Sequence, residues 1–300
     1  MTRPDVGPVA GPTVRPIALA NSNSGDGSAG DGLRDWCQRL GIEYRDAGDD
    51  LEGALRRAAD DHPQFVAVVG GDGTQRTAAG VLAPRQVTLL AVPGGTHNHF
   101  AKALGLTDLD AAAVAVESGV ERVVPVSDVN DEVFLNTAVV GWYPEMVRTR
   151  ERLRQRFPRP MAAAVAFARH AHRLHRFDVE VEGTTHRAWM LWVGNGRFGL
   201  TADELADRSD VTERVLDVRI ALAHRRLARS RVVWDLLRGR LRRSEHLARF
   251  VADHPVSARL KAITVSAALD AEVITVTSPL VFTPASRQIC VRTPGVLVGG

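Results

Sequence analysis

Hydrophobic and polar positions follow two different patterns along the chain. In the first part, short apolar runs alternate with segments whose apolar and alanine positions recur at helical spacing. The run FVAVVGG at 65–71 is apolar almost throughout, as in a parallel strand covered on both faces. Strands alternating with helices in this way indicate βαβ units and a parallel sheet. The predicted strands span 14–20, 42–48, 65–71 and the start of 87–96, and the predicted helices span 33–40, 51–60, 74–82 and 98–104.

The second part of the chain is dominated by β-branched runs, several of which alternate apolar and polar residues. Runs of strands separated by turns indicate an antiparallel sandwich or barrel. Two arginine-rich segments with a helical pattern, 145–176 and 225–250, interrupt these runs. We predict a flexible tail at 1–13, an α/β N-terminal domain with a parallel sheet at 14–124, and a β-sandwich-like C-terminal domain at 125–300 with the arginine-rich helices inserted.

Composition is that of a soluble globular protein. The 300 residues are 45% hydrophobic and 24% charged, and the formal net charge of +3 is too small to argue for nucleic acid as a partner. Cys37 and Cys290 are far apart in the sequence and have no disulfide or zinc-site spacing. The N-terminus lacks an apolar signal region, and no apolar run is long enough to span a bilayer. We expect a cytoplasmic protein.

The sequence GGDGT at 70–74 is the strongest candidate for a ligand site. It joins a predicted strand to a predicted helix, and such a helix start offers free N–H groups to a phosphate. The Lys-Ser/Thr ending of a P-loop is missing. Asp72 lies in the middle of the loop, where a carboxylate beside phosphates makes sense as a Mg²⁺ contact. The alternative is an ordinary Asp-Gly turn.

Two more turns have the same position relative to predicted strands. PGGT at 93–96 is followed by Asn98, and Asn21–Gly25 follows the first strand. Thr96 and Asn98 are candidate ligand contacts, or N-caps of the next helix. Because carboxyl ends of parallel strands meet at one edge of a sheet, all three turns should lie together, where open α/β sheets bind ligands.

Together, the motifs ANSNSG, VVGGDGT, PGGTHNHFAKALGL, FLNTAVVGWYPEMV and LDAEV resemble the diacylglycerol kinase catalytic-domain family, over roughly residues 14–294. This family includes bacterial soluble lipid kinases and is related to sphingosine and ceramide kinases. The resemblance implies an α/β nucleotide domain and a β-sandwich domain with the active site in the cleft between them. NAD kinases share the Gly-Gly-Asp-Gly loop, but their later Asn-Glu pair is not found here.

The resemblance also implies roles for single residues. Asp270 and Glu272 match the family's Asp-Gly-Glu motif, which supplies the general base, and Asp72 belongs to the phosphate loop. ATP contacts are implied for Asn21, Ser24, Gly25, Gly70, Gly71, Gly73, Thr74, Thr96 and Asn98.

Five positions depart from the family pattern. Ser22 replaces the proline of the first nucleotide loop, and His99 stands where much of the family has Asp. Arg76 stands where the family usually has Asn, and Ala271 replaces the glycine between the two acidic residues. In the loop that holds a structural Mg²⁺ in many bacterial members, Asp210, Glu213 and the carbonyl of Val215 remain as candidate ligands. Arg214 replaces a glycine there and puts a positive charge beside the expected cation.

The expected function is ATP- and Mg²⁺-dependent transfer of the γ-phosphate of ATP to the hydroxyl of a lipid such as diacylglycerol. A degenerate, non-catalytic relative that binds nucleotide or lipid and an NAD-kinase-like enzyme for small molecules are the alternatives. The arginine-rich segments 148–176 and 225–249 favour contact with anionic phospholipid headgroups at the inner membrane face, with a solvated helix surface as the alternative.

Overall fold

The structure is a computed structural model that describes residues 15–20, 28–141, 149, 153, 176–199, 208, 210–223 and 246–295. An α/β part is followed by a strand-rich part, so the predicted fold class is confirmed. The tail predicted at 1–13 and the turn Asn21–Gly25 lie outside the described residues.

The α/β part is built on a parallel sheet in the order β2–β1–β3–β4. Val66 pairs with Ile17 on one side and with Leu89 on the other. Nearly all side chains of β1, β3 and β4 are buried, which is why their sequences are apolar without alternation. The strands are β1 (Ile17–Ala20), β2 (Glu43–Asp46), β3 (Val66–Gly70) and β4 (Leu89–Pro93).

Two helices of this part begin at aspartate caps. Asp50 accepts a hydrogen bond from the N–H of Gly53, and Asp108 accepts one from the N–H of Ala111. The helix after Asp108 was not among the predicted elements, although this cap and the alanines that follow it are visible in the sequence. The described helices are α1 (Ser28–Arg39), α2 (Leu51–Asp60), α3 (Asp72–Leu82), α4 (His99–Ala103) and α5 (Leu109–Ser118).

Helix α3 begins two residues earlier than predicted. Gly71 is extended, and its carbonyl accepts the first helical hydrogen bond from the N–H of Gln75 at 3.0 Å. Asp72 is therefore the first residue of the helix rather than part of a loop before it.

The strand-rich part is antiparallel, as predicted. Its core is formed by inward-facing residues such as Val193, Val218 and Phe282. The strands are β5 (Val120–Val129), β6 (Glu132–Phe134), β7 (Thr137–Gly141), β8 (Phe177–Val181), β9 (Thr184–Asn195), β10 (Leu216–Leu222), β11 (Leu247–Ala252), β12 (Val256–Leu260), β13 (Thr264–Leu269), β14 (Glu272–Thr277) and β15 (Leu280–Thr293).

Strand β15 connects the two parts. It pairs with β12 near its start, runs antiparallel to β5, and lies parallel to β4 where Val291 meets Leu89. Ile289 and Val291 belong to the core of the α/β part although they lie near the end of the chain. Both parts thus share one continuous sheet, and the domain boundary at residue 124 stays a prediction.

The helix predicted for 225–250 is wrong at its end. Leu247–Ala252 forms β11, which pairs with β10 and brings Arg249 opposite Arg219. The carboxylate of the buried Asp217 lies between these two cations, 2.7 Å from Arg219 and 2.8 Å from Arg249. This cross-strand ion pair stabilises a strand, and a helical spacing of arginines in the sequence does not reveal it. Apart from His246, the rest of that segment lies outside the described residues. So does 145–176, apart from the helical Thr149 and Leu153 and from Arg176.

Candidate active site

Two glycine loops pack against each other at the carboxyl edge of β3 and β4. The N–H of Gly94 donates to the carbonyl of Gly70 at 3.0 Å. A Cβ placed on Gly95 would lie 2.5 Å from the Cα of Gly71, and one on Gly94 would lie 2.9 Å from the nitrogen of Gly70. Both loops therefore require glycine because one backbone approaches the other too closely for side chains.

The N-terminus of α3 lies at this edge of the sheet. Gly70 lies against Thr74, so closely that a Cβ on Gly70 would come within 2.5 Å of the Thr74 Cβ. The first N–H groups of a helix have no partner within the helix, so those after Gly71 can bind an anion. Gly70, Gly71, Gly73 and Thr74 are all half-buried and thus accessible at this edge.

The second loop is closed by Asn98. This residue has φ 53°, and its side chain accepts a hydrogen bond from the N–H of Gly95 at 2.8 Å and donates one to the Gly95 carbonyl at 3.0 Å. Asn98 occupies the N-cap position of α4, as the alternative expected, but its side chain makes no hydrogen bond to the helix. Thr96, which lies between Gly95 and Asn98 in the sequence, is exposed. In this structure Asn98 shapes the loop, and Thr96 is open to a ligand.

Asp72 connects three elements of the site. Its Oδ1 accepts hydrogen bonds from the N–H of Phe100 in α4 at 3.0 Å and from Nδ2 of Asn136, between β6 and β7, at 3.4 Å. Within the described part of the chain, Oδ2 makes no hydrogen bond. The carboxylate is half-buried and has one oxygen that could contact a cation.

Asp270 is buried beneath the site, in the turn between β13 and β14. Its Oδ2 accepts from the N–H of Leu135 at 2.7 Å, and its Oδ1 accepts from the N–H groups of Asn136 and Thr137 at 2.8 and 3.0 Å. Burial raises the pKa of Asp270 to about 6, assisted by the negative charge of Asp72 and opposed by these three N–H groups. The carboxylate holds the 135–137 backbone in place.

Glu272 lies above the phosphate loop. A Cβ on Gly73 would lie 3.3 Å from Oε2 of Glu272, so the carboxylate is next to the second residue of α3. The same oxygen is 2.6 Å from Nη2 of Arg76, which is 12% exposed whereas Glu272 is 54% exposed. Glu132 is a more distant partner of Arg76 at 3.9 Å. The structure thus brings Asp72, Asp270 and Glu272 to one site, with Arg76 as a neighbouring cation.

Between Asp270 and Glu272, Ala271 has φ 67°. This left-handed conformation costs a residue with a Cβ about 1–2 kcal/mol. This left-handed turn explains why the family has glycine at this position. Alanine adopts the same conformation here at some cost in stability.

Three buried polar residues of the site were not identified from the sequence. Gln75 donates to the carbonyls of Val68 and Val92 at 2.8 and 3.3 Å and so ties β3 to β4. Asn195 is fully buried and donates to the carbonyls of Pro125 and Leu135. Asn136 belongs to the motif FLNTAVVGWYPEMV, which was a signal in the sequence. Gln75 within α3 and Asn195 at the end of β9 had no such signal.

The expected ligands of the structural Mg²⁺ already have partners in the chain. Asp210 Oδ1 accepts from the N–H and the hydroxyl of Thr212, and Glu213 accepts from the backbone and guanidinium of Arg197. The Val215 carbonyl accepts from the N–H of Gly196 at 2.7 Å. Arg214, with the Gln288 amide oriented to accept, donates to that amide at 2.9 and 3.0 Å. No group of three or more His, Cys, Asp or Glu side chains that could hold a metal occurs among the described residues.

Asn21, Ser24 and Gly25 lie outside the described residues. They follow β1, which is parallel to β3 and lies next to it, so the chain enters this turn at the same sheet edge as GGDGT. Their roles stay predictions.

Comparison with known proteins bears on the family resemblance. Residues 15–129 match the family model described as diacylglycerol kinase catalytic domain. A Bacillus subtilis protein named diacylglycerol kinase is 38% identical over 104 residues, 33% of this chain and 34% of that protein. A Pseudomonas putida protein named "Probable lipid kinase YegS-like" is 31% identical over 159 residues, 50% of this chain and 53% of that protein. A crystal structure of a diacylglycerol kinase from Bacillus anthracis superposes with a TM-score of 0.67 at 16% identity, covering 95% of this chain and 98% of that one.

The two curated relatives are matched over only about a third and about half of their own lengths. The solved structure is too distant in sequence to show more than a common fold, but that fold extends over nearly the whole chain. The resemblance to the diacylglycerol kinase catalytic-domain family is therefore confirmed: residues 15–129 match the model of this catalytic domain, and parts of the chain are similar to proteins named as lipid kinases.

Proposed function

We propose that this protein transfers the γ-phosphate of ATP to the hydroxyl of a lipid, with diacylglycerol as the first substrate to test. The observation that carries the proposal is the position of Glu272, whose carboxylate lies beside Gly73 at the start of α3. A general base next to a phosphate-binding helix start is what transfer to a hydroxyl requires.

The phosphates of ATP would lie on the glycine loops. The N–H groups at the start of α3 and the exposed Thr96 face the same edge, and Asn98 keeps the second loop in shape. Asn21, Ser24 and Gly25 are proposed to contact the nucleotide from the turn after β1. Phosphoryl transfer asks mainly for this kind of positioning and charge neutralisation.

Asp72 fits a Mg²⁺ ion that accompanies ATP. Such an ion takes one or two carboxylates from the protein and further oxygens from the phosphates, and Asp72 keeps one oxygen without a hydrogen bond in the described part. When bound, the ion would neutralise phosphate charge. The chain's own contribution is to fix Asp72 at the helix start through Phe100 and Asn136.

The geometry favours different roles for the two later acidic residues. Asp270 is buried with both oxygens engaged, so we assign it to positioning. Glu272 is half exposed and is the proposed base. In the transfer, the lipid oxygen bonds to the γ-phosphorus, the bond from that phosphorus to the β–γ bridging oxygen breaks, and the hydroxyl proton passes to Glu272.

The test is ATP-dependent phosphorylation of an extracted lipid mixture, with products identified by mass spectrometry and NAD as a separate acceptor. We expect Glu272→Gln to lower kcat about 10²–10⁴-fold with ATP binding retained. Asp72→Ala should lower activity about 10²–10³-fold without unfolding the protein. Asp61→Ala is a matched control, because this acid pairs with Arg45 on β2, which β1 separates from β3. Full activity of Asp72→Ala would refute the assignment, and phosphorylated NAD without phosphorylated lipid would indicate the small-molecule kinase.

A second candidate is a non-catalytic relative that binds nucleotide. The observation that favours it is the 2.6 Å ion pair between Arg76 and Glu272, which engages the proposed base. ATP binding without any phosphorylated product, in wild type and in Arg76→Asn alike, would support this candidate.

We also propose a cytoplasmic protein that contacts anionic membrane surfaces peripherally. Among the described residues, no helix has the length and hydropathy needed to cross a membrane. The support is the sequence of the arginine-rich segments, since basic segments are attracted to anionic headgroups. Co-sedimentation with anionic but not with neutral vesicles is the expected result, and absence from both pellets would contradict it.

A further inference from the structure

The predicted structural Mg²⁺ site does not fit this chain. An octahedral Mg²⁺ needs several oxygens directed at one point. Instead, Oδ1 of Asp210, both carboxylate oxygens of Glu213 and the Val215 carbonyl accept hydrogen bonds from Thr212, Arg197 and Gly196, respectively. Among the described residues, this leaves Oδ2 of Asp210 as the one carboxylate oxygen of this set without a hydrogen bond, which is too few for such an ion.

The guanidinium of Arg208 lies beside these residues. Its Nη1 donates to the carbonyl of Leu135 at 3.3 Å, and a Cβ on Gly196 would lie only 2.5 Å from its Nε. Gly196 has φ 88° and donates to the Val215 carbonyl. The cation is thus packed between the backbone that joins β6 to β7 and the glycine that contacts the turn before β10.

Three carboxylates lie near enough to attract this cation, although none of them forms a direct ion pair with it in the described part of the chain. Burial lowers the pKa of Arg208 to about 10, and the carboxylates of Asp210, Glu213 and Asp270 act in the opposite direction. Its Nε and Nη2 are buried and make no hydrogen bond to the residues that the structure describes. A buried cation is tolerated when carboxylates lie near it, and the carboxylates in turn would be destabilised without it.

We propose that Arg208 is the built-in cation of this region, in place of the second Mg²⁺ that the family resemblance implies, and that it positions Asp270 through Leu135. The connection is direct: Arg208 donates to the Leu135 carbonyl, and the Leu135 N–H donates to Oδ2 of Asp270 at 2.7 Å. The first part of the proposal is independent of kinase activity, and the second rests on the proposed function.

Thermal unfolding tests the first part without any activity measurement. The full chain is unfolded in EDTA and in millimolar MgCl₂, without nucleotide and with Asp72→Ala as the parent, so that an ion at Asp72 does not contribute. We expect the parent to unfold at the same temperature in both buffers. Arg208→Met should unfold several degrees lower, because it removes the donor to the Leu135 carbonyl and a positive charge near the three carboxylates. Arg208→Lys should recover part of this loss because it keeps the charge.

Arg219→Met is the matched control, because Arg219 is also buried and pairs with the carboxylate of Asp217. It should lower the unfolding temperature as well. With Asp72 intact, however, Arg208→Met should lower kcat for lipid phosphorylation while KM for ATP stays unchanged, and Arg219→Met should alter neither. A parent that Mg²⁺ stabilises by several degrees would overturn the proposal, as would equal instability of Arg208→Lys and Arg208→Met. If neither the wild type nor any variant has kinase activity but the unfolding temperatures change as expected, the proposed function is wrong and the role of Arg208 as built-in cation is still supported.

Discussion

The charge state of Asp270 makes a quantitative prediction for stability. Its pKa rises from an ordinary 3.8 to about 6 in the folded protein, mainly because of burial. A raised carboxyl pKa means that the folded state keeps a proton that the unfolded state loses between these two values. Stability should therefore fall as pH rises from about 4 to about 6, by about 3 kcal/mol in total.

The comparison that isolates this effect is wild type against Asp270→Asn, whose amide does not titrate. The variant loses at least one of the three N–H acceptor contacts, so it should be less stable than wild type at pH 4.5. The wild-type advantage should then shrink by about 2 kcal/mol by pH 7, because about 1 kcal/mol of the total is already lost at pH 4.5. Urea unfolding of both proteins at several pH values between these limits measures the difference.

Asp217→Asn is the control for this measurement. Asp217 is also buried, but hydrogen bonds and charges from Arg249 and Arg219 outweigh its burial and lower its pKa below 3.8. The stability that ionised Asp217 contributes is fully present above pH 3.8 and is lost only as pH falls below it. The difference in the free energy of unfolding between Asp217→Asn and wild type should therefore stay constant between pH 4.5 and 7. If the stability advantage of wild type over Asp270→Asn were also constant, or grew with pH, the effect of the three N–H groups on the pKa would equal or exceed that of burial. The reasoning for Asp270 would then be wrong.

Three further substitutions test the local geometry. Gly95→Ala should destabilise the protein by about 1–3 kcal/mol and weaken ATP binding, because its Cβ would lie 2.5 Å from the Gly71 Cα; unchanged urea unfolding and affinity would contradict the close packing. Ala271→Gly should stabilise by about 0.5–1 kcal/mol in the same assay, since φ 67° is costly for alanine, and a loss of stability would mean that the strain is absent. Arg76→Asn should lower the free energy of unfolding by less than about 1 kcal/mol, because its partner Glu272 is half exposed. The same substitution should reduce kcat, because it releases Glu272 from its position beside Gly73; a higher kcat would show instead that the ion pair restrains the base.

Local patterns allowed much of the fold to be predicted. An apolar run that ends in GGDGT is sufficient to place β3, and helical spacing reproduces the bounds of α2. The partners of β15 could not be predicted in this way, because pairing with β4 and β5 depends on tertiary packing across the whole chain. Likewise, the ion pair between Arg219, Asp217 and Arg249 is a property of two adjacent strands and not of either sequence alone.

The residues of the candidate site likewise fall into those that the local sequence could predict and those that it could not. Residues next to strand ends, such as Asp72 and Gly95, could be identified because the loop sequence itself requires them. Asn136 and Glu272 reach the site from later segments, 64 residues beyond Asp72 and 196 residues beyond Arg76, respectively. For Glu272 only the family resemblance supplied the prediction, since an acidic residue after a turn is common on protein surfaces.

The arginines and the alanine that depart from the family pattern have different consequences, so they do not add up to a case for an inactive protein. Arg214 donates to Gln288, and the carboxylates beside it have partners of their own. Ala271 keeps the left-handed turn that the motif needs, at a small cost in stability. Arg76 alone contacts the proposed base. Activity should therefore depend on this single ion pair, and because Glu272 remains half exposed, a substrate hydroxyl can approach its carboxylate while Arg76 holds it beside Gly73.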